Sequence, residues 1–175
     1  MRRSPSADSD CGGRVTLPPV AEGLLVDVVA DGFVLYCCGP RAAPTALVAS
    51  YEWSRCIDLL TVRDFDRVTA ARVPKRGKVD VFAPEIVVWA YEGAPQQALQ
   101  ALLNLMHPQH PDAPTAEYAA PLNLHVPRAE QRPMTIRLPS LGRARVRTAR
   151  LATEMTTHGE AHVLSATTVP HRDPG

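Results

Sequence analysis

The chain has 175 residues, of which 45% are hydrophobic and 21% charged, so it is long enough to bury the core of one globular domain. Its 17 prolines exceed the usual share of about 5%, which indicates extended segments beside the folded part. A net charge of +1 favours neither a nucleic acid nor a membrane as partner of the whole chain. No apolar run approaches the roughly 20 residues of a membrane span.

Residues 1–18 are polar and rich in Ser, Asp, Gly and Pro, which predicts a disordered N-terminal tail. The charged start is not followed by the apolar segment of a secretory signal, so we expect a cytoplasmic protein. In that reducing compartment the cysteines are expected to be free thiols; they are Cys11, Cys37, Cys38 and Cys56.

The segment 24–38 has the pattern of a β-hairpin. Residues 24–30 and 33–38 are apolar runs, and Asp31-Gly32 between them is typical of a two-residue type I′ turn. A loop of this length fixes the pairing register of the two strands. The register predicts that Cys37 points into the core and that Cys38 points away from it.

Four further strands are predicted before residue 92. Three of them, at 46–51, 56–62 and 67–73, are short apolar runs bounded by turns, although the last could also form a short helix. The fourth, at 86–91, has no alternation of polar and apolar residues. Such a run is typical of a strand that is buried on both faces in the middle of a sheet.

An amphipathic helix is predicted at about 95–106. Pro95 lies in its first turn, where a missing N–H costs little, and Pro108 disfavours helical geometry beyond His107. Its apolar face carries Leu99, Leu102, Leu103 and Met106. These elements predict an α+β fold, in which an antiparallel sheet of about five to six strands, connected as a hairpin meander, packs against this one main helix.

The C-terminal third is predicted to be less regular. Residues 122–126 and 134–138 could each form a short edge strand, 142–155 could form a marginal basic helix, and the last 15 or so residues are expected to be disordered. The predicted domain organisation is a disordered tail at 1–18, a globular α+β domain at 19–126, and an Arg/Pro-rich, partly disordered extension with an irregular basic region at 127–175.

The histidines do not have the spacing of a known metal site. His107 and His110 form an HxxH pair with His125 further along, and His158 and His162 lie four residues apart without the glutamate of an HExxH motif. Zinc sites normally use three or four protein ligands. We therefore interpret these side chains as exposed histidines and predict no metal site.

The acidic and thiol side chains likewise form no recognisable catalytic set. Asp64 and Asp66, with Asp58 on the preceding strand, could hold magnesium if a phosphate substrate completed its shell, but aspartates at a turn usually bond the nearby backbone. Cys37 and Cys38 have no histidine nearby in the sequence to lower the pKa of a thiol. We predict no catalytic residue and no cofactor site.

The candidate contact residues are Trp53 and an arginine-rich segment. Trp53 lies in a turn region, where an exposed tryptophan would favour an interface. Residues 18–124 carry a charge of −4, whereas 125–175 carry +4, so the segment could dock on its own domain or on a partner. The arginines lie within 23 residues and are opposed only by Glu130; they are Arg128, Arg132, Arg137, Arg143, Arg145, Arg147 and Arg150.

These observations favour a small cytosolic, non-enzymatic protein-interaction or regulatory module whose partner is another protein. Its expected contact surfaces are an open sheet edge, with the strand at 46–51 as a candidate, and the arginine-rich segment. Two alternatives stay open. One is an enzyme or small-ligand-binding protein whose site converges from scattered residues; the other is a nucleic-acid-associated regulator that uses the basic segment.

Overall fold

An antiparallel sheet forms the centre of the computed structural model, which describes residues 19–40, 43–64 and 67–165. Its strands in chain order are β1 (Val34–Cys38), β2 (Ala46–Glu52), β3 (Cys56–Asp64), β4 (Arg67–Pro74), β6 (Trp89–Gly93) and β8 (Met134–Arg137). Their order across this six-stranded sheet is β6-β4-β3-β2-β1-β8. Two shorter strands, β5 (Ile86–Val87) and β7 (Tyr118–Ala119), pair separately. The predicted α+β class with an antiparallel sheet is confirmed.

In the described part of the chain three α-helices accompany the sheet, so the prediction of one main helix was wrong. They are α1 (Pro19–Ala30), α2 (Pro95–Leu103) and α3 (Val146–Ser165). Helix α2 begins at Pro95 as predicted, but it ends three residues early, where the N–H of Asn104 donates to the carbonyl of Gln100. Two 3-10 turns occupy Leu122–Leu124 and Arg143–Arg145.

The predicted hairpin over 24–38 was wrong in its first half, because residues 24–30 belong to α1. Gly32, with φ of 94°, ends this helix: its N–H donates to the carbonyl of Val29, and the N–H of Phe33 donates to the carbonyl of Val28. This bonding pattern is a Schellman motif, which requires positive φ at the glycine. The Asp31-Gly32 pair is therefore a helix end and not a hairpin turn.

The run 86–91 is not a central strand, contrary to the prediction. It splits into β5, which pairs with β7, and β6, which forms one edge of the main sheet. Between them the N–H of Val88 donates to the carbonyl of Arg72. The strand at 46–51, suggested as an open edge, instead lies between β1 and β3.

The sheet is covered on both faces. On one face, Leu47, Ala49 and Leu60 pack with residues of all three helices, including Leu151 of α3. On the other face, Leu124 and Val126 are fully buried against the strands.

This two-sided packing explains why the adjacent thiols of Cys37 and Cys38 point to opposite faces of the sheet and both contact a core. Cys37 packs against the helix-side core as predicted but is only half-buried, whereas Cys38 points to the opposite face and is fully buried there. Burial raises the pKa of both thiols above the usual value.

The globular domain was predicted to end at residue 126. The main sheet and its hydrophobic core nevertheless include residues beyond that position. Strand β8 lies within the possible edge strand at 134–138 and pairs with β1. Helix α3 overlaps the possible basic helix at 142–155 and extends beyond it to Ser165. Within the possible strand at 122–126, Leu122–Leu124 form a 3-10 turn and no strand is present. The predicted tail at 1–18 and residues 166–175 lie outside the described residues. Within the described ranges, no helix combines the length and apolar character needed to span a bilayer.

Candidate functional site

Three charged side chains meet inside the helix-side core. Asp58 on β3 lies directly opposite Arg72 on β4, and Arg147 in the first turn of α3 reaches the same carboxylate. All three are at most 1% exposed. Charges at such depth are tolerated when they are paired and hydrogen-bonded.

Asp58 is fully engaged by its neighbours. The Nε and Nη2 atoms of Arg72 donate to its two oxygens at 2.6 and 3.0 Å. The Nε and Nη2 atoms of Arg147 donate to Oδ2 at 3.3 and 3.0 Å, and the indole N–H of Trp53 donates to the same oxygen at 2.8 Å. Oδ2 accepts four of these bonds and Oδ1 accepts one, and the 0% exposure of Asp58 keeps a substrate away from both oxygens.

Arg147 also joins α3 to two other helices. Its Nη1 donates to Asp31, at the end of α1, at 3.0 Å, and its Nη2 donates to the carbonyl of Leu102 at 2.7 Å. Arg150, one turn further along α3, donates to Asp31 at 3.1 Å and to the carbonyl of Leu103 at 3.1 Å. Leu102 and Leu103 end α2, where the negative end of the helix dipole attracts cations.

Aromatic rings surround the Arg147 guanidinium. Its Cζ lies 5.4 Å from the ring centroid of Phe33, 6.0 Å from that of Tyr51 and 5.9 Å from that of Trp53. Cation–π attraction strengthens when the cation is removed from water, as it is here. The ring centroids of His107 and Trp53 lie 5.0 Å apart in an edge-to-face arrangement. Burial and, to a smaller extent, the charge of Arg72 lower the pKa of His107.

The cluster stabilises the fold and is not suited to catalysis. A general base or nucleophile needs a free lone pair within reach of a substrate. Asp58 is 0% exposed and paired with two arginines, so a substrate cannot reach it. Burial together with the charge of Asp58 raises the pKa of the neighbouring Cys56 thiol to about 12. At neutral pH this thiol is protonated and therefore a poor nucleophile.

Tyr51 connects the same cluster to α3 through its hydroxyl. The hydroxyl lies 2.6 Å from Thr148 Oγ1 and 3.1 Å from the carbonyl of Ala144, and it accepts the N–H of Thr148 at 3.2 Å. We expect Tyr51→Phe to lower the free energy of unfolding by about 1–2 kcal/mol in urea denaturation, because these hydrogen bonds are lost in a buried setting. Tyr118→Phe is the control, since Tyr118 is exposed. Equal stability of the two variants would contradict this expectation.

The structure separates the predicted contact residues into two groups. Trp53 is buried, Arg147 is buried, and Arg150 is half-buried against Asp31, so these three serve the fold. The remaining predicted arginines are exposed: Arg128, Arg132, Arg137, Arg143 and Arg145.

His107 packs beside the Asp58 cluster through Trp53, but the described histidine and aspartate candidates form no shared site. His107 and His110 each accept a backbone N–H through Nδ1, and His125 lies in the segment covering the opposite face from Asp58. Among the described side chains, no group of three or more His, Cys, Asp or Glu residues could hold a metal ion. Asp66 and the side chains of Asp64, His158 and His162 lie outside the described residues.

Two surface clefts include charged residues in their lining. One of about 240 Å³ includes Arg76, Lys78 and Glu85 in its lining, and Arg76 pairs with Glu117 at 2.6 Å. Another, of about 390 Å³, is lined by Arg128 and Arg132 together with the acidic Asp80 and two uncharged residues. Neither has the predominantly apolar, enclosing walls typical of small-molecule sites.

In the part of the chain that the structure describes, strand β8 is the last strand at one edge of the main sheet and leaves that edge open. The N–H of Gly39 donates to the carbonyl of Pro133, so this carbonyl faces β1. Thr135 and Arg137 lie two and four residues further along, so their backbone groups face β1 as well. Because alternate residues of a strand direct their backbone groups to opposite sides, those of Met134 and Ile136 face away from the sheet, as do those of Leu138 just beyond the strand. Among the described residues only β1 pairs with β8.

The side chains along this strand are unusually exposed for apolar residues. Met134 is 39% exposed, Ile136 54% and Leu138 76%. Met134 and Ile136 lie on the same face as Cys38 and Tyr36, their register partners on β1. We call the outward backbone groups of Met134, Ile136 and Leu138, with their side chains, the β8 edge.

The pairing of Asp58 with Arg72 was missed, although the sequence carries a signal for it. Strands 56–62 and 67–73 were both predicted, and their short connection makes them a hairpin whose register places residue 58 opposite residue 72. An aspartate and an arginine at core-facing positions of paired strands indicate a buried ion pair. Nothing local in the sequence points to Arg147 as the third member.

Comparisons with protein-family models, with curated proteins and with solved structures each found no match to this chain.

Proposed function

We propose that this protein is a non-enzymatic module that binds another protein through the β8 edge. The observation that carries the proposal is a sheet edge with outward backbone groups and apolar side chains at Ile136 and Leu138 that are more than half exposed. An extended segment of a partner can add a strand to such an edge.

The exposed apolar character of the β8 edge supports this proposal. Natural proteins usually protect edge strands with charges, short length, bulges or a covering element, because an unprotected edge invites pairing with another chain. Strand β8 is short and carries Arg137, yet its apolar side chains are exposed. Here the exposed apolar residues are clustered in sequence, and Leu141, 92% exposed, follows them closely. Clusters of this kind mark interaction sites more often than isolated apolar residues do.

The state of the buried charges also supports binding in preference to catalysis. Asp58 and Arg147 are engaged in attaching α3 to the sheet, so they are not free for acid–base chemistry. The rigid sheet that results is a suitable support for an edge that must present its backbone groups in register.

Two leucines allow a matched test. Leu138 lies at the β8 edge, whereas Leu122, 87% exposed, lies on a 3-10 turn elsewhere. The full chain, tagged and expressed in its native cell, would be captured with nuclease treatment and its partners measured by mass spectrometry. We expect Leu138→Glu to lose a stoichiometric protein partner that the unmodified chain and Leu122→Glu retain, because a charge at the edge opposes apolar docking.

Other results would contradict the proposal. If Leu138→Glu keeps its partner as well as Leu122→Glu does, the β8 edge is not the contact surface. If the captured material disappears on nuclease treatment, the exposed arginines serve a nucleic acid, as in the alternative hypothesis.

A further inference from the structure

Exposed arginines concentrate around the β8 edge. Arg137 is part of the strand, and Arg132 precedes it by two residues. Arg128 shares the 390 Å³ cleft with Arg132 and with one acidic residue, Asp80. Arg143 and Arg145 follow the strand on an exposed turn. Glu130, the one acidic residue between positions 127 and 150, is paired with Arg63 at 2.7 Å.

We propose that the partner, on the function proposed above, is an extended protein segment in which acidic and apolar residues alternate, and that it adds to the sheet as a strand beside β8. The charge complementarity between these arginines and an acidic segment is the reason for naming that chemistry. Arginine is well suited to carboxylates because its guanidinium binds them in a bidentate manner.

The register of β8 explains why alternation is required. Met134 and Ile136 point to one face of the sheet, and Thr135 and Arg137 point to the other, where they lie opposite Cys37 and Leu35. Side chains of an added strand alternate in the same way. Apolar residues would then lie beside Met134 and Ile136, and an acidic residue would lie beside Arg137.

A second copy of the chain is a poorer occupant of the β8 edge. Pairing about Ile136 would match apolar residues with each other, but it would bring a second set of exposed arginines to the same junction: Arg128, Arg132, Arg137, Arg143 and Arg145. Like charges brought together oppose association, whereas an acidic segment neutralises them.

The probe is a synthetic, end-blocked peptide of about nine residues, a common strand length, in which Glu and Val alternate. Its binding to the full chain would be followed by fluorescence anisotropy and by the amide NMR shifts of the protein. We expect saturable binding below about 1 mM, weakened several-fold when salt rises from about 50 to 500 mM, with the largest shifts on β8 and β1. A peptide of the same composition with its Val residues grouped is the control for alternation, and a Lys–Val peptide is the control for charge.

Two substitutions at one position isolate the backbone contribution. Ile136→Pro removes the outward N–H, whereas Ile136→Ala truncates the side chain and keeps that N–H. Proline is tolerated on an edge strand when its missing N–H faces solvent, so the bonds to β1 are kept. We expect Ile136→Pro to bind the acidic peptide at least about tenfold more weakly than Ile136→Ala does, because main-chain bonds supply much of the affinity of an added strand. We expect Arg137→Glu to weaken it about tenfold as well.

The proposal is overturned if the acidic peptide does not bind by about 1 mM, or if the Lys–Val peptide or the grouped peptide binds as tightly as it does. It is also overturned if the amide NMR shifts caused by the acidic peptide lie away from β8. Self-association of the full chain that Ile136→Pro abolishes would identify a second copy as the occupant, and would also overturn it. If the acidic peptide fails while Leu138→Glu still loses a native protein partner, only the partner's chemistry is wrong and the β8 edge remains the contact surface.

Discussion

Asp58→Asn is expected to lower the free energy of unfolding by about 3–5 kcal/mol, because it leaves two buried guanidinium groups without their shared counter-ion. Arg72 and Arg147 are at most 1% exposed, so water cannot replace the lost carboxylate. Urea denaturation would measure the change, and a fall in Tm of roughly 6–20 °C should accompany it.

Asp112→Asn is the matched control for this substitution. The carboxylate of Asp112 is 80% exposed, and its contact with His110 is a long one of 3.8 Å. We expect its effect on the unfolding free energy to stay within about 0.5 kcal/mol. A loss of less than about 1 kcal/mol for Asp58→Asn would show that the buried cluster tolerates a neutral centre, contrary to the electrostatic account given above.

Arg147→Ala is expected to cost about 3 kcal/mol and to loosen α3 in particular. The value lies at the low end of the usual range because Arg72 still neutralises Asp58 when Arg147 is removed. The helix loses its bonds to Asp58, to Asp31 and to the carbonyl of Leu102 together. Hydrogen exchange should therefore accelerate more for the amides of α3 than for those of β3.

Arg145→Ala is the control, since Arg145 belongs to the same basic segment but is exposed. It should leave both the unfolding free energy and the protection of α3 nearly unchanged. If the two variants show the same exchange in α3, Arg147 does not anchor the helix. The contrast tests whether neighbouring arginines of one cluster serve different purposes, one inside the core and one at the surface.

The position of Arg147 also affects how the basic segment should be studied. A chain ending near Val126 would lose β8 and the buried Arg147 along with the exposed arginines. Loss of binding by such a truncation would report loss of folding as much as loss of a contact surface. Point substitutions at the β8 edge avoid this ambiguity, because its side chains are largely exposed.

The Asp31-Gly32 pair illustrates where a local pattern was ambiguous. Glycine with positive φ is required both in a type I′ hairpin turn and at the end of a helix that closes with a Schellman motif. Leu24 and Val28, four residues apart and both buried in α1, fit a helical face, whereas the run of apolar and β-branched residues favoured a strand. Packing of α1 on the sheet decided between two conformations that the local sequence permits.

The edge position of β6 has a similar cause. An uninterrupted apolar run predicts burial on both faces, and Val87 is indeed fully buried. The chain nevertheless divides at Val88, so that two residues join β7 and the rest pair with β4. Which neighbours a strand finds depends on segments far away in sequence, such as Tyr118–Ala119, and no local pattern contains that information.

The sequence by itself determined the α+β class, the strands β2, β3 and β4, the start of α2 at Pro95 and the edge strand β8. These features depend on hydrophobic periodicity and turn residues, which act over a few neighbouring positions. Only the tertiary structure decided that Trp53 and Arg147 are buried while Arg137 stays exposed on an open edge. The physical reason is that a buried charge needs partners supplied by distant segments: the Asp58 cluster joins β3, β4 and α3, which are adjacent only once the chain has folded.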